Sequence, residues 1–296
     1  MPLKLTNEID RVEGITREEF QEKYMIPAKP VIIRHFYGKD APLYKKWTFD
    51  YFKKELGHLE VGVFDVEGEE RKDDRSYKSA HTTMKFGEYI DLILSGPTTR
   101  RLFLFNVFKH KKDLFNDFEF PDVADNVLKM LPFAFFGGKG SLTRIHRDMD
   151  NSNVFLTELQ GRKRIVLFDP KYSTLLYRYP FGTHTSVDIN NPDYDRYPGL
   201  HYVEGIDCFI EPGDTIFMPA GWWHHIEYHA PGLGFSMRSL SPHWTTRLRG
   251  LYQVGVLTHL DDAIRVVLKD KWHKIKTNMA DKRAQAELQK LRSALG

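Results

Sequence analysis

Three side chains of this sequence have the types and spacing to hold a metal. His146-Arg147-Asp148 lies in an apparent strand, where residues i and i+2 project to the same side, so His146 and Asp148 aim into one interior. A further histidine arrives in Ala220-Gly221-Trp222-Trp223-His224-His225, behind a tight turn at Glu211-Pro212-Gly213-Asp214 and a hydrophobic run, Thr215–Pro219. Two imidazoles and one carboxylate fill one face of an octahedron and leave three adjacent positions open. That arrangement suits non-haem Fe(II) oxygen chemistry, although zinc accepts the same donors. Neighbouring residues of an extended strand face opposite ways, so only one of His224 and His225 can join the set. The pattern does not say which. A His-x-Asp pair alone is more often a surface or hydrogen-bonding feature.

Rigid strands must position these groups, and the sequence supplies them. From 133 onward, short β-rich pieces follow one another: FAFF (133–136), SLTRIH (141–146), NVFLTEL (153–159), RIVLFD (164–169), YVEGIDCFI (202–210), TIFMP (215–219) and GFSMRSL (234–240). Gly161, Asp169-Pro170 and Glu211–Asp214 are credible turns between them. This grammar predicts a sandwich or barrel rather than alternating α/β units.

Before this block, Thr16 and Glu19 form a capping-box pattern in front of Phe20 and Tyr24, and Thr48 can cap a helix carrying Phe49, Phe52 and Leu56. Segments 31–34, 59–64 and 100–108 read as strands, 84–95 and 121–131 as helices, and 66–81 as a charged surface loop. After Pro242, helical periodicity returns through Leu257, Leu260, Ile264, Val267, Leu268 and Trp272, with a last segment over 278–294. The expected organisation is an N-terminal region of helices and strands (1–132), a β core (133–245) and a C-terminal helical segment (246–296).

Composition narrows the class. The chain has 296 residues, 41% of them hydrophobic and 14% aromatic, which is enough to bury a core and argues against intrinsic disorder. Its single cysteine, Cys208, cannot form an internal disulfide and reads as a small buried hydrophobe. No apolar run approaches the roughly 18 residues of a membrane span. The opening MPLKLTNEIDRVEG lacks the apolar core of a secretory signal, so a cytoplasmic protein without membrane contact is expected. Net charge is only +3, but Ser241–Gly296 carries 11 Lys/Arg against 5 Asp/Glu. No nucleic-acid motif accompanies that charge, and a solvated helical face is the expectation.

The sequence resembles the JmjC, or cupin-type, Fe(II)/2-oxoglutarate oxygenases, most of all the branch containing the asparaginyl hydroxylase of hypoxia-inducible factor. The resemblance covers about residues 15–245. It runs through Thr143–Asp148, NVFLTELQGRKRIVLFDP (153–170), SVDINNPDYDRYPGL (186–200) and EPGDTIFMPAGWWHHIE (211–227), with KPVIIRHF and WTFDYFKKELG before them. It implies a double-stranded β-helix, or jelly-roll, core, mainly β with flanking helices. It also implies Fe(II) held by His146, Asp148 and His224, with His225 as a non-ligating neighbour. Thr143 and Lys163 match residues that hold the remote carboxylate of the co-substrate 2-oxoglutarate, with O₂ as the other co-substrate. Lys163 has an independent argument: a dianion needs a cation, and the alternation of GRKRIVLF sends Lys163 inward and both flanking arginines outward. Thr143 is opposite in parity to His146, so a bulge or bend must intervene if both line one pocket. Asn153 can bond within that pocket.

Two departures from the resemblance stand out. Where the asparaginyl hydroxylase grips its target amide with an arginine-glutamine pair, this chain has Thr183 and His184. Where that enzyme has an asparagine near the metal, GFSMRSLS offers Arg238 or Ser239. The expectation is therefore oxygenase chemistry on an unidentified substrate, a protein or peptide side chain first. A small-molecule hydroxylase, a methyl-lysine demethylase and a non-catalytic cupin are the alternatives. Tyr177, Tyr179, Tyr194 and Tyr197 are candidates for a substrate groove, and the C-terminal helices for a homodimer contact.

Overall fold

The computed structural model describes residues 2–65, 80, 82–129 and 132–295, so most of the 66–81 loop expectation lies outside the described residues. Among the described residues fourteen strands form two sheets. Those before the β-rich block are β1 (Lys4–Thr6), β2 (Asp10–Glu13), β3 (Val31–Arg34), β4 (Glu60–Asp65), β5 (Thr82–Lys85) and β6 (Arg100–Phe105). Within it lie β7 (Phe133–Gly137), β8 (Leu142–His146), β9 (Asn153–Gln160), β10 (Lys163–Phe168), β11 (Glu204–Ile210), β12 (Asp214–Met218), β13 (Trp223–Tyr228) and β14 (Gly232–Ser239). The smaller sheet has the order β1-β11-β10-β13-β8, and the larger β2-β3-β12-β9-β14-β7-β6-β4-β5.

Alternation along the strands explains how the sheets stack. On β9, Val154 and Leu156 join Ile216 and Met218 of β12 against Ile165 and Leu167 of β10 and Cys208 and Ile210 of β11, so this cluster fills the space between the sheets. The opposite face of β9, with Phe155 and Leu159, packs with Phe217 and Phe235 against the N-terminal helices. The outer face of the smaller sheet, with Val166, Phe168 and Trp223, is covered by Leu175, Leu176, Val187 and the C-terminal helix residues Ala280, Ala284 and Leu288. Each sheet is thus buried on both faces, which accounts for the nearly continuous hydrophobicity of β9 and β12.

The helices are α1 (Arg17–Phe20, running on as a wide turn to Met25), α2 (Pro42–Lys46), α3 (Phe49–Leu56), α4 (Phe86–Ser95), α5 (Trp244–Tyr252), α6 (Thr258–Leu268) and α7 (Asp270–Leu295). Thr16 and Thr48 accept from the backbone N–H of Glu19 and Tyr51, as helix caps do. Among the described residues helical content is comparable to strand content, and the two sheets do not close into a barrel. The "mainly β" jelly-roll barrel is therefore corrected to a cupin-like stack of two sheets with flanking helices. Residues 121–129 are not helical: Pro121 precedes a run of turns, and Val127 forms a β-bridge with Ser239. No helix among the described residues is long and apolar enough to cross a membrane.

Candidate metal centre and the cavity around it

β8 and β13 pair antiparallel with His146 directly opposite His224. Their rings lie 4.2 Å apart between centroids, and Asp148 follows just beyond the end of β8. One ligand atom from each of His146, Asp148 and His224 lies within 4.8 Å of the other two. Parity between neighbours separates the two histidines: His224 turns inward, whereas His225 bonds Glu227 Oε1 through Nε2 at 2.9 Å.

The surroundings prepare these side chains as donors. His146 Nδ1 lies 2.9 Å from the Arg144 carbonyl and His224 Nδ1 3.2 Å from that of Trp222. An N–H donated at each Nδ1 leaves an Nε2 lone pair for a metal, the usual outer support of a ligating histidine. Burial lowers the pKa of both imidazoles, helped at His146 by the neighbouring His224 and His184, so both are neutral. Burial alone would raise the carboxyl of Asp148, but the Arg238 guanidinium beside it holds it well below the usual carboxylate range. Arg238 Nη1 reaches Asp148 Oδ2 at 2.8 Å, Asp150 Oδ1 at 3.2 Å and Ser152 Oγ at 3.0 Å. Two neutral imidazoles and one ionised carboxylate fit a divalent transition metal.

A cavity of about 340 Å³ opens beside this cluster. Thr143, Lys163, Thr183, His184 and Arg238 line it together with the three donors. Thr143 gets there through an irregularity: His224 pairs with His146 but Ile226 with Thr143, one residue too many on β8. Lys163 lies opposite Tyr228 in the register, four residues along from the Leu167–His224 pair, roughly 13 Å at about 3.3 Å per residue. His184 forms a bridge with His146, and their rings stack at 5.5 Å and 17°. The Thr183 carbonyl accepts from the Arg147 N–H.

Other candidates lie elsewhere. Asn153 and Ser239 bond each other at 3.2 Å, and Asn153 also accepts from the Ala220 N–H. Both residues sit outside the cavity lining, on the parity opposite to Val154 and Arg238. Arg238 is the inward residue of that pair. Tyr177 is buried in the outer cluster, its hydroxyl accepting from the Gly199 N–H, and it does not line the cavity. Tyr179 does. Cys208 is buried, and burial pushes its thiol up to about 12, so it is unreactive.

Sequence reasoning missed Glu158, Tyr228, Ser236 and the role of Arg147. Glu158 shares the parity of Val154 and Leu156, a signal that was available. Arg147 lines the cavity with its Nε buried and without a hydrogen-bond partner. Burial, with Arg178 and Arg249 nearby, pushes its guanidinium down to about 10. Among the described residues no carboxylate pairs with Arg147 or Arg178.

The stacked sheets and the site define a class, and comparison with known proteins agrees. The model of the cupin-like domain family matches residues 17–240, and the chain belongs to that family. Within it, the two-histidine, one-carboxylate set and the similar proteins place the chain with the JmjC/cupin-type oxygenases. Similar proteins include tRNA wybutosine-synthesizing protein 5 of Gallus gallus, 28% identical over 244 residues (74% of this chain, 73% of the relative). The Homo sapiens protein of that name is 29% identical over 252 residues (77% and 76%). Lysine-specific demethylase 8 of Xenopus tropicalis is 26% identical over 231 residues, covering 74% of this chain and 49% of the relative. The expected likeness to the asparaginyl hydroxylase of hypoxia-inducible factor thus holds at the level of the family, not of that enzyme specifically.

Proposed function

We propose that His146, Asp148 and His224 hold Fe(II), and that the cavity takes 2-oxoglutarate with its remote carboxylate toward Lys163 and Thr143. The observation that carries this reading is the convergence of three donors whose two imidazoles are each tied back through Nδ1. Bound Fe(II), with 2-oxoglutarate and O₂, supplies an oxidant able to hydroxylate an unactivated C–H bond, leaving succinate and CO₂. The protein's part is to aim two lone pairs and one carboxylate at a single point, to keep Asp148 ionised through Arg238, and to offer a cation to the dianion.

The relatives' names, a tRNA-modifying protein and lysine-specific demethylases, support a broader substrate than an unmodified protein side chain. We therefore place the substrate among methylated or other side chains and small molecules, with hydroxylation of an N-methyl group releasing formaldehyde. Arg147, which lines the cavity with its buried Nε unpaired, favours a second reading in which the substrate also carries an anionic group. For the C-terminal helices we propose a homodimer contact, supported by the exposure of Trp244, Leu251, Val266 and Val267.

An anaerobic Fe(II) titration with 2-oxoglutarate tests the site. A weak visible charge-transfer band is expected in the wild type and lost in H146A and D148A. A folded wild type without the band would make the protein a non-catalytic cupin.

A further inference from the structure

Lys163 is not alone in the space between the sheets. Its side chain is 1% exposed and that of Glu158 is fully buried, and Lys163 Nζ donates to Glu158 Oε2. The other oxygen, Glu158 Oε1, is buried without a hydrogen-bond partner. The pair is accommodated by design of the facing strand. The inner face of β14 reads Gly232, Gly234, Ser236, Arg238, and a Cβ on Gly234 would stand 2.8 Å from Lys163 Nζ and 3.0 Å from Glu158 Oε2. A Cβ on Gly232 would stand 3.1 Å from Oε1. The groups facing Glu158 are Lys163 from β10 and, beyond it, Tyr228 from β13, whose ring lies 4.7 Å from Lys163 Nζ. Arg101 of β6 faces Tyr228, and β14 brings Gly232 and Gly234 against the pair.

Resting on the oxygenase reading, we infer that Glu158 is the resident counter-ion of Lys163, and that a co-substrate carboxylate reaches Lys163 only as Glu158 takes up a proton. Two ionised carboxylates cannot share one buried ammonium cheaply, because like charges at low dielectric force one of them to become neutral. Protonated Glu158 ceases to compete and becomes an O–H donor, so lysine and carboxyl together present donors to the incoming anion. Burial pushes the Glu158 carboxyl up to about 7 even against the opposing pull of Lys163. The proton exchange therefore falls in the neutral range. The sign follows: below that value the lysine's charge is uncompensated and binding is tight, and above it binding must take a proton from solvent. Glu158 is on this account a positioning residue for the co-substrate, acting through Lys163.

The test is calorimetric binding of 2-oxoglutarate to the Mn(II)-loaded full chain from pH 6.5 to 8.5, in buffers of differing ionisation enthalpy. For the wild type, Kd is expected to weaken about tenfold between pH 7.5 and 8.5, with uptake approaching one proton. Glu158→Gln, which keeps the size and removes the charge, is expected to bind more tightly at pH 8.5, with a flat profile and no uptake. Wild-type binding without proton uptake, or an E158Q profile that parallels the wild type, overturns the role of Glu158 and leaves the oxygenase reading standing. No binding by either protein at any pH overturns the oxygenase reading, and this inference with it. The wild-type proton count decides the question even where E158Q fails to fold.

Discussion

At the scale of the residue, the two adjacent histidines show how a single position acquires its role. His224 is held through Nδ1 by the Trp222 carbonyl, while its neighbour is held outward by Glu227. That carboxylate accepts from His225 and Asn190, lies 3.3 Å from His229 Nε2, and pairs with Arg164. Burial would raise Glu227, yet the hydrogen bonds of His225, Asn190 and His229 bring it well below the usual range. A depressed carboxylate contributes stability above its unfolded value, near 4.5, and loses it as pH falls toward the folded value. Glu227→Gln is therefore expected to destabilise the protein by about 1–2 kcal/mol at pH 7, with the gap narrowing at pH 3. Urea unfolding at the two pH values checks this; an equal gap at both would mean that the carboxylate's charge is not what matters. Alternation said that one histidine must be left out, the resemblance implied that it is His225, and the grouping of His224 with His146 and Asp148 and the bond of His225 to Glu227 agree.

At the scale of the element, the hairpin between β9 and β10 brings Glu158 and Lys163 together. Gly161 sits in its turn with φ +93°, and a Cβ there would meet the Pro231 carbonyl oxygen at 2.2 Å. Gly161 is thus required both by its left-handed backbone and by the close approach of the next strand's entry. Gly161→Ala is expected to cost about 2–3 kcal/mol, read as a lower denaturant midpoint with an unchanged slope. An unaltered midpoint would show that the turn yields freely and does not set the register. The sequence pointed to this turn, and to the bulge needed between Thr143 and His146. It misled at 121–131, expected as a helix: among the described residues there, Val123 and Ala124 are buried in turns and Val127 bridges Ser239. Periodicity cannot separate those outcomes over so few residues.

At the scale of the whole molecule, both sheets are covered on their outer faces, while α5 and α6 leave large apolar side chains exposed. Trp244 is 69% exposed, Leu251 68% and Val267 77%, apolar side chains that a subunit contact would cover. Light scattering is expected to give twice the 34.7 kDa chain mass, and Leu251→Glu combined with Val267→Glu a monomer of unchanged fold. A wild-type monomer at micromolar concentration would show that this surface serves another purpose.

The sequence by itself determined the donor types, their i and i+2 spacing and the inward direction of Lys163, because strand parity and turn chemistry are local properties of the chain, and its resemblance to a family implied the cupin-like class. The tertiary structure decided everything that depends on what faces what. It placed Arg238 rather than Ser239 beside Asp148 and turned Asn153 and Ser239 toward each other outside the cavity. It also set the Glu158 carboxylate against the buried Lys163. Those partners are far apart along the chain or lie across a turn, and only the register of one strand on another and the stacking of two sheets bring them within a hydrogen bond.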